Sequence, residues 1–354
     1  MFFAVLTVKS LPTFLRRVAA FVLCWTGLIF LVACRHSGGR VLEVAYVSGV
    51  QVNLRDRVAA VYEKAGLVKN GDRVDVLEHD RRFAKVRTVT GQMGWIEQRY
   101  LVSQQVFDQL QKLTADNAND PVQAQGVTRN DTNLHVEPGR ETEHLYQISS
   151  GEKLALLKRG TAEKPGVVAT APVKTSGAGE KKEAGPVLED WWLVRDSHGR
   201  VGWVLGRMVD VDVPIDIAQY AEGQRIVASF VLNEVQDGDK KVAQYLTVLT
   251  EPKDGLPFDF NQFRVFTWNV KRHRYETAYR ERGDGMLPVK VSQEDFGKEG
   301  VLPVFVIRAL DDSGGVSERK YKLNTPIVRR VYAQGEQPAT HKSTAAKRTA
   351  RRRR

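Results

Sequence analysis

Few side chains in this 354-residue chain are spaced for chemistry. The seven histidines (His36, His79, His135, His144, His198, His273 and His341) form no His-x-x-x-His or His-Glu-x-x-His pair. Those spacings would put two imidazoles on one helical face for zinc. No Gly-x-Ser-x-Gly elbow, no phosphate-cradling Gly-x-x-x-x-Gly-Lys-Ser/Thr loop and no dinucleotide fingerprint occurs. Asp312-Ser313-Gly314-Gly315 sets a serine between an acid and two glycines, but strand-like runs flank it, so it reads as a polar hairpin turn. Glu189-Asp190 comes nearest to a paired-carboxylate site for glycoside hydrolysis. Neighbours on a strand face opposite ways, so the pair reads instead as loop charges. Only two cysteines exist, Cys24 and Cys34, both near the start. That argues against a disulfide framework, a Cys-ligated zinc site and a thiol nucleophile in the body. The sequence predicts no catalytic residue, no metal site and no cofactor.

Elements that hold such residues can still bind, so the organisation of the chain matters next. Arg16-Arg17 precedes an uncharged apolar run from Val18 to Ala33. At 16 residues the run is short for a membrane-spanning helix and suits a signal-peptide core. It closes Leu31-Val32-Ala33-Cys34, which resembles a bacterial lipobox. That resemblance implies that residues 1–33 are a lipoprotein signal peptide and that Cys34 carries the lipid. Several acyl chains on one residue give the stable anchoring that a single chain does not. The implied location is a membrane-anchored lipoprotein of the cell envelope, facing the periplasm.

The rest of the chain repeats itself. Asn53-Leu54-Arg55, Gly71-Asp72-Arg73-Val74-Asp75-Val76-Leu77, Lys85-Val86-Arg87 and Gly91-Gln92-Met93-Gly94-Trp95-Ile96 follow in order. They return as Asn133-Leu134-His135, Gly151-Glu152-Lys153-Leu154-Ala155-Leu156-Leu157, Leu193-Val194-Arg195 and Gly199-Arg200-Val201-Gly202-Trp203-Val204. The early landmarks lie 80 positions apart and the later ones 108, so the second copy holds 28 extra residues. Residues 160–186, rich in Ala, Gly, Lys, Glu, Thr and Pro, account for nearly all of them and predict a flexible insertion. Period-two alternation between glycine turns predicts short strands in both copies. This order resembles the bacterial SH3-like domain, a small β-barrel.

The resemblance implies two tandem SH3-like modules, at 41–102 and 126–213. A linker at 103–125 separates them, with Val106, Leu110 and Leu113 on one helical face. The loop after Asn53 borders the ligand groove of that fold, and it departs from the usual pattern in both copies. Copy one lacks a proline after Arg55, and copy two has His135 where Arg is usual. Trp95 and Trp203 read first as edge-of-core rings and second as ligand platforms. Trp191-Trp192 should turn one ring inward and one outward, the outward ring being the better platform for a sugar or peptide.

Residues 215–333 have no second copy. Eight strand-like runs with polar turns between them, one expected at Glu281–Gly285, predict an all-β sandwich or barrel-like domain. Phe266 to Tyr279 reads as an aromatic hairpin. Residues 334–354 carry seven basic residues against Glu336 and read as a disordered basic tail, suited to an anionic polymer. Of the net charge of +11, only +2 belongs to residues 34–333. Nucleic acid is therefore a poor partner for the folded body. The fold class predicted is mainly β. The function predicted is a non-catalytic envelope lipoprotein whose modules bind cell-wall peptide (peptidoglycan), glycan or an envelope protein. The alternative is an envelope hydrolase with an unrecognised site in residues 215–333.

The junction at Cys34 is directly testable. Cys34→Ala should abolish palmitate labelling and leave an unprocessed precursor or a soluble species; labelling that persists in this variant would exclude the anchor.

Overall fold

The computed structural model describes residues 40–168, 185–311 and 313–332. The segment expected to be a signal peptide, with Cys34, the middle of the insertion and the basic tail lie outside the described residues. Three seven-stranded antiparallel sheets make up the fold, which is mainly β.

The first sheet comprises β1 (Glu43–Val47), β2 (Gln51–Arg55), β3 (Lys64–Lys69), β4 (Arg73–Asp80), β5 (Phe83–Thr88), β6 (Met93–Glu97) and β7 (Leu101–Ser103). Its strand order is β3-β2-β6-β5-β4-β1-β7. The alternation read from the sequence is the burial pattern: Val74 and Val76 point inward with Val47, Leu54, Val68, Val86 and Ile96.

The second sheet comprises β8 (Ala124–Thr128), β9 (Thr132–His135), β10 (His144–Ile148), β11 (Lys153–Val168), β12 (Pro186–Arg195), β13 (Val201–Leu205) and β14 (Val209–Val211). Its order, β10-β9-β13-β12-β11-β8-β14, matches the first strand for strand. A 3-10 turn precedes the last strand in both, at Gln98–Tyr100 and Gly206–Met208. The internal sequence repeat is thus a repeated fold.

The insertion departs from the sequence prediction. A flexible loop was expected from Gly160 to Pro186, yet β11 runs to Val168 and β12 starts at Pro186. Gly160 lies opposite Trp191, Ala162 opposite Glu189 and Val168 opposite Pro186. Once a hairpin has set its register, each further pair satisfies backbone groups that would otherwise need water, so the ladder extends beyond the module.

The linker helix, α1 (Gln104–Asp116), buries Val106 and Leu110 as its periodicity predicts. Leu113 packs on the second module against Leu157, Leu193 and Val201. Thr114 Oγ1 both donates to the Leu110 carbonyl and accepts from the Val201 N–H, which ties the helix to β13. The first module is one compact unit; from Val102 on, the chain forms another.

The third sheet is a meander in chain order: β15 (Arg225–Asp237), β16 (Lys240–Thr250), β17 (Phe260–Asn269), β18 (Arg274–Asp295), β19 (Val301–Leu310), β20 (Val316–Asn324) and β21 (Ile327–Val331). Eight expected runs become seven strands because Glu281–Gly285, expected as a turn, continues β18. Glu281 pairs with Phe263, while Gly285 pairs with Phe260 on one side and Ala309 on the other. The turn-prone Gly-Asp-Gly is taken up as a register shift against β17. Phe263 on β17 meets Tyr321 on β20 at 5.2 Å, although two strands separate them in the order. The sheet therefore curls around an aromatic core that also holds Tyr279 and Phe305. The aromatic hairpin is present, with Trp268 opposite Tyr275. Asp311 closes the polar turn by accepting from the Ser313 and Gly315 N–H groups.

The ribbon yields a prediction. Replacing residues 169–184 by a short Gly-Ser turn should move the urea unfolding midpoint by less than about 1 kcal/mol equivalent, because closure entropy varies slowly with length. Removing residues 160–186 whole should cost more than that, since it takes away the strand partners of Leu188 to Trp191.

Candidate functional site

In the first module, three adjacent strands bring a cluster of cations and rings to one face. Arg55 ends β2 directly opposite Trp95 of β6. Trp95 in turn faces Lys85 of β5, and Phe83 faces Glu97. The Arg55 guanidinium donates to Glu97 Oε1 at 3.0 Å. Its carbon lies 4.1 Å from the centre of the Tyr62 ring and 4.9 Å from that of Phe83. Lys85 Nζ stands 6.0 Å from the Trp95 ring centre, and Arg82 lies 5.5 Å from that of Phe83. The loop from Asp56 to Glu63 is drawn closed where Asp56 accepts the Glu63 N–H at 2.7 Å. That bond, with Arg57, holds the Asp56 carboxyl below its usual range. The loop leaves Val61 86% and Tyr62 39% exposed. Trp95 is half-buried, its ring serving as both core edge and surface. Cations seated beside rings on one face suit a ligand with carboxylates and flat or apolar groups.

The registers identify the equivalent positions in the second module. His135 faces Trp203, Leu193 faces Trp203, and Trp191 faces Leu205. His135 thus stands for Arg55, Leu193 for Lys85, Trp191 for Phe83 and Leu205 for Glu97. The His135 ring is 9% exposed; its Nδ1 lies 3.0 Å from Thr142 Oγ1 and its centre 4.9 Å from that of His144. Burial, with some repulsion from His144, pushes its pKa down to about 4, so it is neutral at pH 7.

Both rings of Trp191-Trp192 are buried, at 2% and 7% exposure, which corrects the expectation of an outward platform. They do point opposite ways. Trp191 packs edge-on to His135 at 5.2 Å, whereas Trp192 faces the third sheet and lines a small cavity with Arg225 and Val227. Trp203 is half-buried and lies against Gly160 of the ribbon.

Sequence reasoning missed what Glu189 and Asp190 do. They are buried strand residues, not loop charges. Glu189 takes a two-pronged ion pair from Arg140, at 2.6 and 2.5 Å, which lowers its pKa. Asp190, on the other face, accepts from Arg159 at 2.5 Å, Arg225 at 2.8 Å and the Gly255 N–H at 2.9 Å. Burial opposes its charge, but these donors together hold its pKa below the usual range. Arg159 also donates to the carbonyls of Leu256 and Phe258 and to Asp259, bridging the second module to the third sheet. Asp259 is pushed up by burial, against the pull of the Leu287 N–H and Arg159. The only sequence signal was that two acids adjoin two tryptophans on a strand; their partners are encoded far away, Arg140 and Arg159 upstream and Arg225 and Gly255 downstream.

Among the described residues, Glu152, Asp196 and His198 bring ligand atoms within 4.8 Å of one another. Asp196 is already taken by Arg200, whose Nε lies 2.6 Å away, and by two backbone N–H groups. The cluster is a closed turn.

Comparison with known proteins agrees with the first module. Residues 49–102 match the family model described as bacterial SH3 domain. Among solved structures, an NlpC/P60 family protein from Bacillus cereus ATCC 10987 is 10% identical, with 80% of this chain and 95% of that chain covered at a TM-score of 0.22. NlpC2 from Trichomonas vaginalis is 11% identical, with 82% and 95% covered at a TM-score of 0.16. Likenesses this weak carry no argument. No curated protein matches the chain.

His135 sets a pH dependence. Its pKa is about 4 folded and 6.5 unfolded, so between those values the unfolded chain binds more protons. Stability should be full above pH 6.5 and fall as pH drops to 4, by up to about 3 kcal/mol. Urea midpoints at pH 7 and pH 4 should differ less in His135→Gln than in the unaltered chain; equal differences would clear His135 of the effect.

Proposed function

We propose that this protein is a non-catalytic lipoprotein of the bacterial cell envelope whose first module holds carboxylate-bearing cell-wall peptide. The observation that carries the reading is the cation-and-ring face of Arg55, Tyr62, Lys85 and Trp95, on a segment that matches the bacterial SH3 domain. A peptide offers carboxylates to Arg55 and Lys85 and apolar groups to Tyr62 and Trp95. An uncharged glycan would use only the rings. Cys34 supplies the membrane attachment, and the seven basic residues of Lys342–Arg354 offer positive charge to anionic envelope polymers. The lipid fixes one end of the chain at the membrane while the module grips the wall.

The full chain should pellet with purified sacculi. Arg55→Ala and Trp95→Ala should each weaken that binding about tenfold, the loss of a charged hydrogen bond or a stacked ring. Added salt should weaken it further. An unaltered chain that stays in the supernatant would refute the reading.

A further inference from the structure

We infer that ligand binding is confined to the first module, and that the second has given up its ligand face to become the mount for the third sheet. The inference rests on the binding face proposed above and concerns how the two repeats divide the work.

Position by position, the second module has lost the chemistry of the first. Arg55, Lys85 and Glu97 become His135, Leu193 and Leu205, and the exposed Arg82 becomes the buried Asp190. Three charges vanish and one reverses sign. The ring at the centre of the face is covered as well. A Cβ on Gly160 would lie 2.8 Å from the Trp203 ring, so the ribbon backbone rests directly on it. Leu193 and Leu205, at 1% and 8% exposure, offer a ligand almost no surface.

The opposite side of β12 carries the new task. Asp190 collects Arg159 from its own module with Arg225 and the Gly255 N–H from the third region. Gly255 has a φ of +74°, and a Cβ there would meet Leu188 at 2.5 Å, so the 253–259 segment lies tight on the ribbon. Gln123 adds a second buried link, its Oε1 accepting from the Val289 N–H at 2.7 Å. Extension of the β11–β12 ribbon is what brings Leu188 to Gly255.

The test uses the full chain and purified sacculi. Installing the second module's residues in the first, as Arg55→His with Lys85→Leu, should weaken pelleting at least tenfold. Trp203→Phe in the second module should change it less than twofold. Binding retained by the double variant, or an equal loss in Trp203→Phe at unchanged melting, would overturn the assignment. The mount is read separately, by hydrogen exchange. Amide exchange across residues 253–259 should rise at least tenfold in Asp190→Asn, and also in the milder Arg225→Met. Unchanged exchange in both would overturn it. Failure of the unaltered chain to pellet would refute the cell-wall reading and the first-module site with it, while the exchange result would still decide the mount.

Discussion

The buried carboxylate of Asp190 is the interaction on which the larger unit depends. It sits 4% exposed between two guanidinium groups, one from its own module and one from the third region. Taking such groups out of water is expensive, and the cost is offset only when every partner is in place. Arg159 lies between the carboxylates of Asp190 and Asp259, while Arg225 pairs with Asp190 and, nearer the solvent, with Asp254. The backbone N–H groups of Gly255 and Leu287 complete the shells of the two acids. Breaking the Arg159–Asp190 pair, whose side chains are only 6% and 5% exposed, strands a buried charge, which typically costs about 3–5 kcal/mol. Apolar burial alone would tolerate sliding of one sheet against the other. Directed bonds to one carboxylate fix a single arrangement.

That constraint explains why two modules with the same strand order present different faces. In the first, residue 82 is an arginine at a two-residue hairpin turn between Asp80 and Phe83, open to solvent. In the second, the same hairpin is prolonged into a ribbon, and the equivalent position is buried under the third sheet. Lengthening one hairpin therefore converts a solvated corner into an interface without changing the barrel core. The core residues confirm that economy: Val74, Val76, Val86 and Ile96 have Leu154, Leu156, Val194 and Val204 as counterparts, all buried.

Much of this was legible in the sequence, for local reasons. Period-two alternation and the paired Gly-Trp motifs exposed the repeat, and the offset of 80 against 108 located the insertion. The heptad-like spacing of Val106, Leu110 and Leu113 found the helix. What was not legible is non-local. Alternation says that Trp191 and Trp192 face opposite sides of β12, but not that a later sheet covers the second side. Composition suggested a solvated loop at residues 160–186, yet a strand pair already in register recruits Thr161 and Ala162 regardless of their weak individual preference. Likewise Gly285, an ordinary turn residue, became part of β18 because neighbouring strands on both sides offered backbone partners, and Gly283 was taken up in the register shift beside it. The residues of the candidate face were mostly in view: Trp95 was singled out, and Arg55 and Lys85 were noted in the repeat. Tyr62 joins them only through the course of the loop, and the registers alone bring the four together.

The distribution of charge sets how the first module meets a partner. Residues 34–333 carry a net charge of only +2, so the folded body casts no strong long-range field. Arg55 is partly neutralised by Glu97, which also pairs with Arg99 at 2.9 Å. What remains is local: cations held beside Tyr62, Phe83 and Trp95, effective within a screening length of about 8 Å. Such a face does not draw ligands from a distance; it discriminates on contact, where desolvation by the rings strengthens each charged hydrogen bond. The proposed lipid anchor would suit such a face. A tether would by itself supply a high local concentration of polymer, so the gain from electrostatic steering would be small and the gain from short-range selectivity large.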